Sequence, residues 1–303
     1  MRQNTLQILF LCSRSVAFHS CDLYMCRRSR LRKAALRLRG LGEPRYFKKM
    51  PKYDIVIIGS GLGGLECAYM LAKAGMNVCV LEKNRQFGGN LQIFSRDKVI
   101  FDTGVHYIGG LEKGQNLHQY FKYFGLTDEL KLRRMDDAGF DKISFVNDPN
   151  EYPHAVGYQQ FTERLSEYFP KEKEGIKKYL NAVKEMCDSF PLYNVESGNL
   201  VEVDLSLLNI NAKEFIESCT SNEKLRQVLA GSNPLYAGYP EKTPFYVHAM
   251  TINTYLDSAW KCVDGGGQIA RILVKNIKEL GGELRNYSEV KQFVFSEGKE
   301  IKA

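Results

Sequence analysis

The densest hydrophobic pattern in the chain lies between Tyr53 and Glu82. Asp54-Ile55-Val56-Ile57-Ile58 is a short apolar run that stops at a glycine, the mark of a strand buried on both faces. After Gly59-Ser60-Gly61-Leu62-Gly63-Gly64 the period changes. Leu62, Leu65, Ala68, Tyr69, Leu71 and Ala72 recur at helical spacing, and Gly75 stands where a helix C-cap belongs. Asn77-Val78-Cys79-Val80-Leu81 is a second apolar run, and it ends at Glu82. The pattern predicts strand, tight turn, helix, strand.

Weaker signals follow. Val99 to Gly110 predicts a strand before a glycine-rich bend. Leu117 to Phe124 predicts a helix stopped by Gly125. Lys131–Met135, Asp141–Asn147 and Tyr152–Tyr158 alternate as strands do. Residues 159–255 read as largely helical. Ile176, Tyr179, Leu180, Val183 and Met186 share one helix face and read as core. Thr220-Ser221-Asn222-Glu223 has the form of a capping box opening a helix through Leu229, and Thr243-Pro244 opens another. That last helix carries Phe245, Tyr246, His248, Met250, Tyr255 and Leu256, a set that suits a long apolar ligand or a domain core equally. Gly265-Gly266-Gly267 then starts a helix with Ile269, Ile272, Leu273, Ile277 and Leu280 on one face. Gly281-Gly282 ends it, Glu283–Tyr287 reads as a strand, and Phe293–Phe295 begins a hairpin around Ser296-Glu297-Gly298.

Composition divides the chain. The 303 residues suffice for two domains with proper cores. Residues 1–49 hold twelve of the 42 basic and two of the 35 acidic side chains, a balance of +10. The remainder carries −3 despite the overall +7, so its charge gives no sign of a nucleic-acid partner. The first 49 residues lack a sustained period. They are expected to be a basic leader without fixed structure, read as a targeting segment, as a basic arm for nucleic acid or acidic membrane or, preferably, as an extension upstream of a natural start at Met50. Residues 50–150 and 261–303 are expected to form the two parts of one α/β domain, with 151–260 inserted between them. Cys67, Cys79, Cys187, Cys219 and Cys262 are scattered with no C-x-x-C pair, which argues against a zinc site or redox dithiol and fits a reducing compartment. No apolar run reaches the ~18 residues of a membrane span. A cytoplasmic or membrane-peripheral location is expected.

The glycines of 59–64 point to chemistry. Gly59 lets the chain turn off the strand, Gly61 lets a pyrophosphate approach the backbone, and Gly64 lets the helix pack against the sheet. The helix N-terminus offers N–H groups to phosphate. Glu82 lies 23 positions after Gly59, where a carboxylate can accept the hydroxyls of an adenosine ribose. In Lys83-Asn84-Arg85-Gln86-Phe87-Gly88-Gly89-Asn90-Leu91 the adjacent glycines permit close backbone approach to a cofactor; an ordinary turn is the plainer alternative. His106 is a candidate for a place near the cofactor or substrate, or for a structural role. No Ser-His-Asp set, metal cluster or carboxylate pair competes as a site.

The segments Gly59–Gly64, Leu81-Glu82-Lys83, Gly88-Gly89 and Phe101-Asp102-Thr103-Gly104-Val105-His106-Tyr107 resemble the FAD-dependent carotenoid and retinoid oxidoreductases. Phytoene desaturases, carotenoid isomerases and retinol saturases belong to that family; amine oxidases share the nucleotide fingerprint and the glycine pair. The resemblance implies a Rossmann-like FAD-binding domain with an inserted, largely helical substrate domain. It implies FAD as cofactor, NAD(P)H as a candidate electron donor, and an apolar polyene as substrate, with peripheral membrane contact in keeping. The implied reaction is retinol saturase-like reduction, or desaturation or isomerisation. A flavin amine oxidase and an inactive binding protein are the alternatives. The implied cofactor-binding residues are Gly59, Ser60, Gly61, Leu62, Gly63, Gly64, Glu82, Lys83, Gly88, Gly89, Asn90, Leu91, His106 and Val290, the last matching a valine that touches adenine through its backbone. No catalytic residue and no metal ligand is assigned. In such enzymes further sequence follows the position of Val290, so this chain is expected to match about the first three-fifths of one, by family analogy.

Overall fold

The computed structural model describes residues 7–10, 53–191, 193–195 and 204–293. By its internal contacts the chain divides into two compact units. The first comprises 1–105, 124–126 and 266–303, and the second 106–123 and 127–265.

The first unit begins with β1 (Gln7–Phe10), then β2 (Ile55–Ile58), α1 (Leu62–Lys73) and β3 (Val78–Leu81). The strand–turn–helix–strand expectation holds to within three residues at each boundary. Gly75 has φ +83°; its N–H reaches Ala72 O at 2.9 Å and that of Met76 reaches Leu71 O at 3.1 Å. This paired closure satisfies carbonyls that the end of α1 would otherwise leave open. A hairpin follows, β4 (Ile93–Arg96) with β5 (Val99–Asp102), its turn held by Asp97 and Lys98 at positive φ.

β1 departs from the expectation for residues 1–49. It pairs in parallel with β2, Gln7 opposite Ile55 and Phe10 opposite Ile58. Ile8, Leu9 and Phe10 are good strand formers, and an open edge of β2 presents N–H and C=O groups that a short apolar segment can satisfy. The rest of the leader, and the hairpin expected at 296–298, lie outside the described residues.

The second unit contains β6 (Ile108–Gly109), α2 (Asn116–Tyr123), β7 (Leu132–Arg134), β8 (Asp141–Ser144), β9 (Glu151–His154), α3 (Tyr158–Tyr168), α4 (Lys173–Asp188), α5 (Ala212–Cys219), α6 (Glu223–Leu229), α7 (Phe245–Asp257) and β10 (Ala259–Cys262). β10 lies antiparallel between β6 and β7, and β8 pairs with β9. That pairing joins residues 108–134 to residues 259–262. The unit therefore starts at His106, where the sequence pattern placed the break near 150.

The helical core is built on the α4 face read from the sequence. Ile176, Tyr179, Leu180, Val183 and Met186 are all buried, with Phe161, Leu165, Ile216, Leu225, Leu229, Phe245, Ile252 and Leu256 around them. Phe245 and Leu256 are thereby core residues; Tyr246 and Met250 pack against the same cluster, and Tyr255 against a smaller one at Phe140, Val156 and Ala259. Local chemistry moved two caps. Asn222, not Thr220, caps α6 by accepting the Leu225 N–H at 3.1 Å, while Thr220 Oγ1 donates to Glu172 Oε2 at 2.6 Å. α7 begins after Pro244, so Thr243 is left to accept the Tyr239 N–H at 2.6 Å. The strand expected over 152–158 ends at His154, because Gly157 at φ +88° turns the chain into α3.

The chain then returns to the first unit with α8 (Gly267–Glu279) and β11 (Glu283–Arg285). β11 pairs in parallel with β3, giving a four-stranded parallel sheet in the order β1-β2-β3-β11. α1 and α8 pack on each other and bury Leu65, Ala68 and Tyr69 on one and Ile269, Ile272, Leu273 and Ile277 on the other. Leu280, counted with that face from its spacing, is 42% exposed just past the helix end. The result is a Rossmann-like first unit, joined in sequence to a largely helical second one.

Candidate nucleotide-binding site

The carboxyl ends of β2, β3 and β11 bring three loops together. Gly59, at φ +94°, turns the chain off β2 while its N–H still reaches Leu81 O at 2.8 Å. Gly64 sits on the inner side of the first turn of α1. A Cβ there would lie 2.2 Å from the Gly59 carbonyl oxygen, so only glycine allows the helix to start against the strand end. Gly63 has open space where a Cβ would be, and both it and Leu62 are exposed.

The glycine pair closes on this turn. Gly61 and Gly88 form a parallel bridge, and a Cβ on Gly89 would come within 3.1 Å of Gly61 Cα. Gly88, at φ +117°, would bring a Cβ to 2.8 Å from Ala270 Cβ. The close approach seen here is thus between the two glycine loops and from Gly88 to α8. Leu91 is buried under the Gly88 turn and packs there; Asn90 is exposed, and its carbonyl accepts from Thr103 Oγ1 at 3.3 Å.

Glu82 is held firmly. It is 5% exposed, and three protein donors reach its carboxylate: Ser60 Oγ at 2.6 Å and Ser60 N at 3.0 Å on Oε2, and Asn84 N at 2.8 Å on Oε1. Burial acts to raise its pKa. The Ser60 hydroxyl, the Asn84 and Ser60 amides and the charge of Lys83 outweigh burial, and the net pKa lies below the ordinary value. The carboxyl is therefore ionised at neutral pH. Lys83 itself is exposed.

The segment after β11 completes the rim. Glu82 N donates to Arg285 O at 2.8 Å, Ser288 N to Glu82 O at 2.8 Å, and Asn286 Nδ2 to Arg85 O at 2.9 Å. Val290 lies two residues beyond Ser288 and is half-buried. His106 opens the second unit, with an exposed side chain and a carbonyl that accepts from Lys261 Nζ at 2.9 Å. Sequence reasoning did not single out Asn84, whose contribution is a backbone N–H and leaves no trace in residue type. It also missed the task of Asp102, whose Oδ1 accepts the Gly266 N–H at 2.7 Å and fixes the start of α8.

The arrangement suits an adenine dinucleotide. No side chain caps the N-terminus of α1 and no acid stands in its first turn, which leaves that end to an anion. One fixed carboxylate stands at the end of the neighbouring strand. Among the described residues no cluster of His, Cys, Asp and Glu could hold a metal ion, and no helix is long and apolar enough to cross a membrane.

The family model of the NAD(P)-binding Rossmann-like domain matches residues 57–124. An all-trans-retinol 13,14-reductase of Macaca fascicularis is 31% identical over 271 residues, 82% of this chain and 43% of that protein. Prolycopene isomerase 2 of an Oncidium hybrid is 34% identical over 269 residues, 82% of this chain and 45% of that protein. This chain belongs to the carotenoid and retinoid oxidoreductase family. The match spans less than half the length of these two relatives. Among solved structures, cyclohexylamine oxidase of Brevibacterium oxydans superposes with a TM-score of 0.50 at 19% identity, over 77% of this chain and 51% of that one. At that identity the likeness speaks for the fold alone. The retinoid and carotenoid relatives agree with the family resemblance drawn from Gly59–Gly64, Leu81-Glu82-Lys83, Gly88-Gly89 and Phe101–Tyr107.

Proposed function

We propose that the first unit binds FAD, and that the chain serves an oxidoreductase acting on carbon–carbon bonds of an isoprenoid polyene, with retinol saturase-like reduction as the leading reaction. The observation that carries this reading is the fixed, ionised Glu82 beside an uncapped helix N-terminus, in a chain whose relatives act, by name, on retinol and prolycopene. The chemistry a bound flavin supplies is hydride transfer to or from such a bond. This chain's own residues would bind and orient. The α1 N-terminus and the Gly59–Gly64 turn would receive the pyrophosphate, Glu82 a ribose hydroxyl, and the backbone near Val290 the adenine. NAD(P)H remains a candidate electron donor.

The cofactor is tested directly. The chain is purified, loaded with a mixture of FAD and NAD, washed and denatured, and the released nucleotide is identified by chromatography. FAD is expected. Recovery of NAD with no flavin would overturn the flavin reading. Turnover of retinol against simple amines then separates the proposed activity from amine oxidation.

Glu82→Gln is expected to weaken FAD binding by ~1.5–3 kcal/mol, because a charge-assisted acceptor is lost. The structure adds a second cost: one end of the amide would turn N–H groups toward the donors of Ser60 or Asn84. Fluorescence titration checks it, and an unchanged dissociation constant would remove Glu82 from the site.

A further inference from the structure

Ser60 stands in the middle of the glycine turn, yet its side chain is fully buried and both of its polar capacities are used within the protein. The hydroxyl donates to Glu82 Oε2 at 2.6 Å and accepts the Gly88 N–H at 3.2 Å. The backbone of the same residue donates to Glu82 Oε2 at 3.0 Å and accepts from Gly88 N at 2.9 Å. One residue therefore ties together the turn after β2, the acid after β3 and the glycine pair.

The acceptor sites on Glu82 can be counted. An ionised carboxylate offers about four, two on each oxygen. Both sites of Oε2 are taken by Ser60, one by its N–H and one by its hydroxyl. Oε1 receives the Asn84 N–H and keeps one site. We propose that Ser60 is a positioning residue of the nucleotide site, which saturates one oxygen of Glu82 and so restricts the carboxylate to a single ribose hydroxyl. This rests on the reading of the site as an adenine-dinucleotide cradle. It holds for flavin and nicotinamide dinucleotides alike, because both carry the same ADP moiety.

The residue type matters to the argument. Glycine or alanine at position 60 would keep the N–H but lose the hydroxyl. Oε2 would regain a site, and the carboxylate would lose a short charge-assisted bond that holds its plane. A serine used only for packing would have neither effect on ligand preference.

The test is equilibrium binding of ADP, 2′-deoxy-ADP and 3′-deoxy-ADP to the wild-type chain and to Ser60→Ala, with thermal melting of both. In the wild type one deoxy analogue is expected to bind as ADP does, and the other roughly tenfold or more weakly. Ser60→Ala is expected to bind ADP more weakly and to be sensitive to removal of either hydroxyl. Equal sensitivity to both removals in the wild type, or to neither, overturns the proposal whether or not the variant folds. So does a Ser60→Ala chain with wild-type affinity and preference. If ADP itself fails to bind the wild type, the dinucleotide reading falls with it.

Discussion

Gly64→Ala is expected to abolish nucleotide binding and to lower the melting temperature of the chain. The added methyl would lie 2.2 Å from the Gly59 carbonyl oxygen and 3.3 Å from its carbon. Both are backbone atoms, so no side chain can move aside. Gly59 is itself held, at φ +94° and with its N–H bonded to Leu81 O, so its carbonyl cannot swing away without opening the end of β2. The remaining relief is for α1 to lift, which would disturb the packing of Leu65 and Ala68 and move the amides proposed to receive the pyrophosphate. The cost belongs at or above the top of the ~1–3 kcal/mol seen for overpacking. Gly63→Ala is the control. It has nothing within 4 Å of the new Cβ, and alanine favours the helix by up to ~1 kcal/mol. Calorimetry and ADP titration on the two variants check the contrast; a Gly64→Ala chain that melts with the wild type would refute the packing argument.

The first unit was legible because its information is local. Three glycines, two apolar runs and an acid at fixed spacing determine β2, α1, β3 and the place of Glu82 with little help from the rest of the chain. The α4 face was legible for the same reason, since a 3.6-residue period survives any packing partner. What could not be read depends on distant pairing. The position of β10 between β6 and β7 joins segments well over a hundred residues apart, and that pairing decides that His106 begins the second unit. β1 has a strand-like composition, but four apolar-rich residues inside an arginine-rich stretch acquire meaning only against an open sheet edge. The cap of α6 shows a finer limit: Thr220 and Asn222 are both good cap residues, and the Glu172 carboxylate beside Thr220 decides between them.

Residue spacing places Ser60 in the glycine turn but says nothing of what its side chain does. The spacing names it as part of a phosphate-binding turn. Only the structure reveals that its hydroxyl faces inward to Glu82 and Gly88, so the role proposed for it runs through Glu82.

The second unit is expected to lose stability on acidification because of a histidine at its centre. His248 is fully buried, with Nε2 2.6 Å from the Tyr179 hydroxyl and Nδ1 2.6 Å from that of Tyr236. Tyr236 in turn donates to Asn233 Oδ1. Its oxygen must therefore accept from Nδ1–H, while Nε2 accepts from Tyr179, and this order requires a neutral imidazole. Protonation would turn Nε2 into a donor and take away the acceptor of the Tyr179 O–H. Burial, aided by the nearby His154, pushes the pKa of His248 down to about 3, and His154 is shifted the same way by its own burial. An unfolded histidine takes up its proton near pH 6.5, so between there and about pH 3 the unfolded chain binds more protons than the folded one. Stability is full above that window and falls as the pH drops through it, by up to roughly 5 kcal/mol for His248. Asp257, whose carboxyl is pushed up to about 6 by burial, opposes the trend because acid relieves its charge, but its partial exposure limits that effect. Trp260 is the single tryptophan and lies in β10, so its fluorescence reports this unit during urea unfolding. The wild type should unfold at clearly lower urea at pH 5 than at pH 7.5. His248→Gln should be less stable at pH 7.5, since the tyrosine hydroxyls lose their partner, and should show a smaller difference between the two pH values. A wild type equally stable at both, or a variant with an unchanged difference, would show that the neutral His248 network does not set the acid limit of this fold.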